Sequence, residues 1–487
     1  MPISQNDFLF LSMVKATKHD EALSQEQVDK ILSAQRAFFK SGQTLPYRFR
    51  RKQLKKLRKS IVENEQAICE ALYQDFRKSH FEGYATEIGV VLSELDAFLK
   101  NLESWMKPKS VSASLLNFPS SDSIHNDPYG VSLIIGPWNY PFQLAINPLI
   151  GAIGGGNCAV IKPSELTPHT SALVAEMIEE IFDPAYVTVV QGGIPVSQIL
   201  LDQRWDHIFF TGSVRVGKIV AMAAAKHLTP NILELGGKSP CIVDETADIK
   251  LAARRIVWGK FINGGQTCIA PDYLLAQSKI KDQLLEEMKK VVTDFYGEDP
   301  QQSPDFPRII NEKNFERVSS FLEDGVAVCG GNFDVADHYI APTILDQVKW
   351  EDNVMLEEIF GPVLPVLTFE TLDEAIEQIT ARPKPLSMYL FSRRSRRQEQ
   401  ILKETTAGGM CINDVVTHYV NPNLPFGGVG NSGHGTYHGK YSFLAFTHQK
   451  SVSKKGNWLD VPLRYPPYKG KLEWVKRAFK VGGDVLP

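Results

Sequence analysis

From residue 131 onward, short runs of β-branched and apolar residues alternate with longer segments whose apolar residues have helical spacing. In the first series the runs lie at 131–135, 158–161, 187–190 and 207–210, with helical segments near 142–153, 167–182, 195–202 and 214–227. A second series has runs near 273–277, 363–368, 387–391 and 410–413, with helical segments near 248–262, 280–296, 372–381 and 395–406. Such alternation is typical of parallel sheets covered by helices. Because the pattern breaks near 235–245, the sequence predicts an α/β protein with two doubly wound domains.

The region before this alternation differs in pattern. Residues 24–107 have the apolar spacing of helices, and Pro108 ends that pattern. Residues 109–129 are rich in Ser, Asn, Asp and Pro, which predicts an extended arm. A chain of 487 residues also exceeds what one hydrophobic core supports, in agreement with more than one domain.

Charge and hydropathy argue against two classes of partner. A net charge of −3 and a pI near 6.4 give no electrostatic reason to bind nucleic acid. The basic segment 48–59 has Leu54, Leu57 and Ile61 at helical spacing and no interleaved aromatic residues, so we interpret it as the solvated face of an amphipathic helix. No run reaches the roughly 20 apolar residues that a transmembrane segment needs.

The cysteines and the N-terminus indicate the compartment. The six cysteines are scattered without paired spacing, which is typical of a reducing environment. No CxxC or HExxH motif occurs, so no metal site is predicted. The N-terminus has no cationic start, and Asp7 precedes its short apolar stretch at 8–14, which argues against a signal peptide. We therefore expect a cytoplasmic protein.

Two glycine-rich segments carry the residues that are best suited to covalent catalysis. Cys268 follows Gly264, Gly265, Gln266 and Thr267, small or polar residues that allow a substrate and a backbone amide to approach closely. Upstream, Glu234 precedes a glycine pair in an otherwise apolar segment. A thiol nucleophile and a carboxylate that can act as a base are the minimum for covalent acyl chemistry. The glycine-rich setting of both residues favours a catalytic role for Cys268 over a role in core packing alone.

Three strand ends carry further candidates, each with a structural alternative. The 207–217 segment combines a strand, a turn at Gly212 and a helix start, which suits either a phosphate or a simple turn, and its glycine spacing is not the usual dinucleotide fingerprint. Lys162 and Glu165 follow a buried strand, where ligands of parallel sheets bind, although a surface lysine has the same pattern. Asn139 can donate its amide to an oxyanion or serve as a turn residue.

Taken in order, these motifs resemble one family, the NAD(P)-dependent aldehyde dehydrogenases, over residues 25–465. Seven blocks carry the resemblance: 137–139 (PWN), 162–165 (KPSE), 210–213 (FTGS) with Gly217, 234–240 (ELGGKSP), 265–268 (GQTC), 358–362 (EIFGP) and 425–428 (PFGG). Segments 267–273 (TCIAPDY), 431–439 (NSGHGTYHG) and 464–467 (RYPP) resemble the class 3 branch, which includes fatty, aromatic and bacterial coniferyl aldehyde dehydrogenases.

The resemblance implies a mechanism. Cys268 would attack the aldehyde as a thiolate, while Asn139 and the Cys268 amide hold the oxyanion. Hydride transfer to NAD(P)⁺ would leave a thioester, and Glu234 would activate the water that releases the acid. The residues that it assigns to an NAD cofactor, with NADP as the other candidate, are Trp138, Lys162, Glu165, Gly212, Ser213, Gly217, Glu358 and Phe360.

Within that set the implied positions differ. Lys162 and Glu165 are expected on the adenosine ribose, and Gly212, Ser213 and Gly217 near the pyrophosphate. Glu358 is expected on the nicotinamide ribose, with Phe360 beside the ring.

The class 3 likeness also implies substrate and assembly. The substrate is expected to be a medium-chain, long-chain or aromatic aldehyde, because the loop 415–424 would border its entrance and carries Val415, Val416, Tyr419, Val420 and Leu424. The long apolar tail of membrane-anchored class 3 members is missing, and a homodimer is expected. Residues 1–108 and 130–235 are predicted to form the N-terminal helices and dinucleotide-binding domain, 236–430 the catalytic domain, 109–129 and 431–465 an oligomerisation arm, and 466–487 a C-terminal tail.

Two alternatives remain at this point. A CoA-acylating aldehyde dehydrogenase would pass the acyl group to CoA and would not need Glu234 as a hydrolytic base. A non-catalytic structural or binding protein on the same fold would not need Cys268, Glu234 and Asn139 together.

Overall fold

The computed structural model describes residues 24–114 and 117–483, with side chains up to residue 479. The apolar stretch at 8–14, the first 23 residues of the predicted first domain, residues 115–116 of the predicted arm and residues 484–487 of the predicted tail lie outside the described residues. Among the residues that are described, no helix is both long and apolar enough to cross a membrane.

The N-terminal region is helical, as its apolar spacing predicts. Its helices are α1 (Gln25–Lys40), α2 (Tyr47–Glu63), α3 (Glu65–Phe76), α4 (His80–Gly83), a π-helix (Tyr84–Ile88) and α5 (Gly89–Met106). Their apolar faces pack with the first β-sheet in one continuous hydrophobic core.

The first sheet has six strands. In chain order they are β3 (Val131–Ile135), β4 (Cys158–Lys162), β5 (Val187–Val189), β6 (His207–Thr211), β7 (Asn231–Glu234) and β17 (Gly433–His434). Their spatial order is β17-β7-β6-β3-β4-β5, and only β17 runs antiparallel to its neighbour. Helices α6 (Gln143–Gly155), α7 (Pro168–Ile181), α8 (Ile194–Leu201) and α9 (Val214–Lys226) connect the parallel strands. The carboxyl ends of β4, β6 and β7 therefore bring Lys162, Gly212 and Glu234 to one edge of the sheet.

The second sheet has seven strands in the order β10-β13-β14-β9-β8-β15-β16. These are β8 (Pro240–Val243), β9 (Tyr273–Gln277), β10 (Val326–Cys329), β13 (Thr343–Asp346), β14 (Val363–Phe369), β15 (Ser387–Phe391) and β16 (Gly409–Ile412). Only β10 pairs antiparallel. The helices of this part are α10 (Ile249–Phe261), α11 (Lys281–Tyr296), α12 (Glu312–Ser320), α13 (Asn353–Leu356), α14 (Leu372–Thr380) and α15 (Ser395–Glu404). Two further core clusters lie on this sheet.

Only part of the predicted oligomerisation arm forms a sheet separate from the two large sheets. Strands β1 (Lys109–Val111), β2 (Ser120–Pro128) and β18 (Thr447–Lys455) form a separate three-stranded antiparallel sheet. Residues 431–446 do not join it, since Gly433–His434 pairs with β7 and α16 (Lys440–Ala445) packs on α6. The short antiparallel strand β17 extends the first sheet because its main-chain groups find partners on the open edge of β7.

Two elements complete the description. A small hairpin joins β11 (Phe333–Asp334) to β12 (Tyr339–Ile340), and α17 (Leu472–Gly483) follows the three-stranded sheet. Leu472, Trp474 and Phe479 of α17 are exposed.

Candidate active site

Cys268 follows a tight turn that joins α10 to β9. Asn263, Gly264 and Gly265 all have positive φ, at 55°, 61° and 72°. A Cβ on Gly265 would lie 2.3 Å from the carbonyl oxygen of Gly361, so only glycine fits there. The turn therefore ends α10 and places Cys268 against the segment that contains Gly361.

Asn139 lies against the same turn. Its side-chain Nδ2 donates to the carbonyl oxygen of Gln266 at 3.0 Å, and its own carbonyl accepts from Asn263 Nδ2 at 2.9 Å. The hydroxyls of Tyr140 and Thr267 are 2.7 Å apart and hydrogen-bond to each other. The structure thus brings the predicted Asn139 and Cys268 segments together through four neighbouring residues.

The Cys268 thiol lies in an acidic environment. Residue Cys268 is of intermediate exposure, whereas Cys69, Cys158, Cys241 and Cys411 are buried. Burial of the sulfur raises the pKa of the Cys268 thiol above its usual value, and the carboxylates of Glu358 and Glu234 raise it further. The free protein therefore favours the thiol, and formation of a thiolate requires a group that accepts its proton.

Glu234 is the last residue of β7 and is 3% exposed. Neither of its carboxylate oxygens has a hydrogen-bond partner within residues 24–114 and 117–483. Burial raises the pKa of Glu234 well above its usual value, because the charged form loses its water shell. A carboxyl group of this kind takes up a proton readily, and its two unpaired oxygens can accept hydrogen bonds from a water molecule.

Glu358, the second carboxyl group that acts on Cys268, is pressed against a glycine. A Cβ on Gly236 would lie 2.0 Å from Glu358 Oε2, and the neighbouring Gly237 donates its backbone N–H to the carboxylate. Burial, together with Asp272, raises the pKa of Glu358 to about 8. Its Oε1 is buried and has no hydrogen-bond partner among the described residues. This oxygen is a vacant acceptor for a ligand hydroxyl.

The segment that carries Glu358 is fixed by a largely buried ion pair. Lys238 Nζ lies 2.6 Å from Asp272 Oδ2 and donates to the carbonyls of Val354 and Glu357. Asp272 Oδ1 accepts from the backbone N–H of Ile359 at 3.0 Å. Lys238 and Asp272 lie within the motifs 234–240 and 267–273, but the sequence alone gives neither residue a role.

Trp138 and Phe360 also meet at this site. Their rings pack edge to face with centroids 5.2 Å apart, and Phe360 has a positive φ of 50°. Such a conformation is uncommon for an aromatic residue, and it persists only where the surroundings impose it. The two rings therefore form an apolar wall beside Glu358.

The predicted cofactor residues of the first sheet lie at its carboxyl edge. Lys162 is 3% exposed, and its Nζ lies 2.5 Å from Glu165 Oε2. Ser213 caps α9, where its Oγ accepts from the Val216 N–H. Gly212 and Gly217 have a packing role as well, since a Cβ at either position would lie within 2.6 Å of Phe210 or Leu235.

The structure adds residues that sequence motifs did not identify. Lys78 and Glu87 form an ion pair with both side chains fully buried, and Lys78 reaches the carbonyl of Asn139. Glu82 accepts from the backbone N–H of Asn263 at 2.7 Å. These residues lie more than 50 positions before Asn139 in a helical region, where charged residues normally indicate a solvated face. The only signal of them in the sequence is one lysine and two acidic residues within ten positions.

One predicted contact is wrong. Val415 is fully buried and packs against Gly259 in the core of the second sheet, so it does not border an entrance. Its apolar neighbours Val420 and Leu424 are exposed, 62% and 45% respectively. The loop turns inward at Val415 because an apolar side chain gains more from the core than from solvent.

Among the described residues, no group of three or more His, Cys, Asp or Glu residues could hold a metal ion.

Comparisons with known proteins identify relatives along nearly the whole chain. The model of the aldehyde dehydrogenase family matches residues 15–452. A 4,4'-diaponeurosporen-aldehyde dehydrogenase of Staphylococcus aureus is 51% identical over 447 residues, 91% of this chain and 97% of the relative. A dimeric, NADP-preferring aldehyde dehydrogenase of Mus musculus is 46% identical over 91% of this chain and 99% of its own. The substrate-bound Staphylococcus aureus AldH has a similar structure, with a TM-score of 0.91, 49% identity and coverage of 93% and 99%.

Proposed function

Because the chain belongs to the aldehyde dehydrogenase family, whose members oxidise aldehydes to carboxylic acids with NAD(P), we propose that Cys268 and Glu234 are its nucleophile and general base. One observation carries this assignment. Cys268, a residue of intermediate exposure, lies within electrostatic range of a buried carboxyl group whose two oxygens have no hydrogen-bond partner among the described residues. Covalent acyl chemistry uses both a thiol and a carboxyl group of this kind, and few other reactions do.

The chemistry follows from the positions of these groups. The Cys268 thiol gives its proton to a water molecule, and the resulting thiolate attacks the carbonyl carbon of the aldehyde. The amide of Asn139 and the backbone N–H of Cys268 hold the oxygen that becomes negative. When bound, NAD(P)⁺ supplies the acceptor for the hydride that the aldehyde carbon loses. The acyl group stays on Cys268 as a thioester. Glu234 takes a proton from the water that attacks this thioester, and the acid leaves.

The residues at the cofactor site fit a dinucleotide. Lys162 and Glu165 at the end of β4 are proposed to bind the adenosine ribose, and the start of α9, with Gly212, Ser213 and Gly217, to lie near the pyrophosphate. The vacant Oε1 of Glu358 fits a ribose hydroxyl of the nicotinamide half, beside the wall formed by Trp138 and Phe360. NAD is the proposed preference, since the carboxylate of Glu165 attracts ribose hydroxyls and repels a 2'-phosphate.

Hydrolysis is proposed over transfer of the acyl group to CoA. The buried carboxyl of Glu234 supports this choice, because a CoA-acylating enzyme needs no base for water. The test follows NADH absorbance after an aldehyde is added, with and without CoA and with NAD or NADP. Full turnover without CoA and a free acid as product are expected. Turnover that depends on CoA would contradict the proposal.

The proposed substrates are medium-chain, long-chain or aromatic aldehydes. The exposed apolar side chains of Val420 and Leu424 support this, as does the similarity to a relative named 4,4'-diaponeurosporen-aldehyde dehydrogenase. We expect kcat/KM to rise from acetaldehyde to octanal and to be higher for cinnamaldehyde than for acetaldehyde. Each buried methylene contributes about 0.8 kcal/mol, so six set an upper limit of roughly 5 kcal/mol. A steady-state series of aldehydes measures this; equal kcat/KM for acetaldehyde and octanal would overturn the substrate class.

A homodimer is the proposed assembly. The three-stranded sheet formed by 109–111, 120–128 and 447–455 lies apart from both large sheets, and β18 is mostly exposed. Within the described residues, β1 and β18 each pair only with β2, which leaves two edges open for another chain. A relative named as dimeric supports this assembly. Light scattering at micromolar concentration should give twice the mass of 54.5 kDa; a monomer there would contradict it.

Domain roles and compartment complete the proposal. The first sheet with the N-terminal helices is proposed to bind the dinucleotide, and the second sheet, with Cys268 at its edge, to carry the catalytic part. We place the protein in the cytoplasm. The support is that its six cysteines are all free, as in a reducing environment.

A further inference from the structure

A buried ion pair from the N-terminal helical region lies beneath the candidate active site. Lys78 Nζ and Glu87 Oε1 are 2.6 Å apart, and both side chains have no exposed surface. Removing two charges from water is expensive, and apolar residues of similar size often stabilise a fold as well. A structural role alone therefore gives a weak reason for this pair.

Both members of the pair bind the main chain of the segment that carries Asn139. Lys78 Nζ donates to the Asn139 carbonyl at 3.4 Å and lies 4.2 Å from the centre of the Tyr140 ring. Glu87 Oε2 accepts the backbone N–H groups of Phe142 and Gln143 at 2.9 and 3.1 Å. The pair thus holds this segment at both ends, before and after Pro141.

A third charged residue holds the turn before Cys268. Glu82 Oε1 accepts the N–H of Asn263 at 2.7 Å, and Asn263 Nδ2 in turn bridges the carbonyls of Asn139 and Gln266 at 2.9 and 3.1 Å. The carbonyl of Asn139 therefore receives donors from two sides. Lys78, Glu82 and Glu87, which lie 52 to 61 positions before Asn139, thus hold the backbone of the Asn139 segment and the turn before Cys268.

The backbone around Glu87 is itself unusual. Residues Tyr84–Ile88 form a π-helix between α4 and α5. Turns of this kind are rare, and they occur frequently at functional sites because they reorient a side chain within a helix. Here the π-helix includes the carboxylate that receives Lys78 and the two amides of the 142–143 segment.

We infer that Lys78 and Glu87 are positioning residues for the oxyanion site: they hold the Asn139 segment so that its amide faces the aldehyde oxygen bound at Cys268. This inference rests on the proposed role of Asn139. Loss of the pair lets the segment shift, and a misplacement of about 1 Å can cost roughly 10²-fold in rate. The effect falls on kcat, since neither residue touches the substrate.

A double-mutant cycle tests the inference. The variants are Lys78→Met, Asn139→Ala and the two combined, each assayed for kcat and KM with octanal and NAD. Asn139→Ala is expected to lower kcat about 10²–10³-fold, the usual loss for one oxyanion donor. Lys78→Met is expected to lower kcat by at least about tenfold with little change in KM. Because Lys78 acts through Asn139, the combined variant is expected to be no slower than Asn139→Ala alone.

Two further variants separate positioning from folding. Lys78→Met leaves the Glu87 charge buried and alone, so Lys78→Met with Glu87→Gln removes both charges and is expected to fold while losing kcat to a similar extent. Lys281→Met is the matched control, because it breaks a 2.7 Å ion pair with Asp346 in the second sheet region; its kcat should stay at the wild-type value.

The outcomes are distinguishable. Wild-type kcat in the charge-free double variant, or losses that multiply in the combination with Asn139→Ala, would overturn the positioning role while the proposed function stands. Wild-type kcat in Asn139→Ala would overturn the proposed oxyanion role and this inference with it.

Discussion

Cys268→Ala is expected to lower aldehyde oxidation by more than about 10³-fold, to the level of the reaction without a nucleophile. The variant loses the only atom that can form a covalent bond with the aldehyde carbon in the proposed mechanism. The loss of one sulfur should leave the affinity for NAD nearly unchanged, because Lys162, Glu165 and Ser213 lie at the edge of the other sheet. Steady-state NADH formation and titration with NAD measure the two quantities.

Cys329→Ala is the matched control for this experiment. Cys329 is partly buried like Cys268 but lies in β10, at the far edge of the second sheet. It should retain wild-type turnover. Turnover above a trace in Cys268→Ala would contradict the assignment of the nucleophile.

Glu234→Gln is expected to stop the reaction after the first half. The amide is similar in size to the carboxyl group, but it cannot take the proton of the attacking water. Acyl transfer to Cys268 does not need that step, so rapid mixing with octanal should give up to one NADH per active site. The following steady rate should fall by about 10²–10⁴-fold, the usual contribution of a general base.

The buried environment sharpens this expectation. In the described part of the chain the Glu234 side chain has no hydrogen-bond partner, so the substitution should not release a neighbouring group. The free energy of unfolding of Glu234→Gln should therefore stay close to that of the wild type. If this variant turned over steadily at the wild-type rate, another residue would have to be the base.

Much of the fold could be predicted from local pattern. The strands Val131–Ile135, Tyr273–Gln277 and Ser387–Phe391 begin and end at the predicted residues. A short, continuous apolar run rich in β-branched residues and bounded by turn residues is typical of a strand buried on both faces. The helices α6 to α11 lie within a few residues of their predicted ranges, because amphipathic spacing determines them locally.

The elements that the pattern missed depend on partners far away in sequence. β7 and β8 lie on either side of the 235–239 segment, and each is only four residues long. Strand β17 has two residues, Gly433 and His434, and forms because β7 offers an open edge. Short strands of this kind are specified by tertiary pairing, so local periodicity does not reveal them.

The candidate site shows the same division. Cys268, Glu234 and Asn139 lie in motifs whose glycines and polar residues identify them as site candidates from the sequence alone. Lys78 and Glu87 could not be recognised, because a charged residue in a helical region normally faces water, and only the folded chain buries these two side chains. Their burial follows from the close packing of the N-terminal helices on the first sheet.

The most direct test of the covalent mechanism is the mass of the trapped intermediate. Glu234→Gln is mixed with octanal and NAD, quenched in acid, digested and analysed by mass spectrometry. We expect an octanoyl group on the peptide that contains Cys268, in an amount equal to the NADH burst, and none on peptides with the other five cysteines. A full burst of NADH with no acyl group on Cys268, or with the group on another cysteine, would contradict the account.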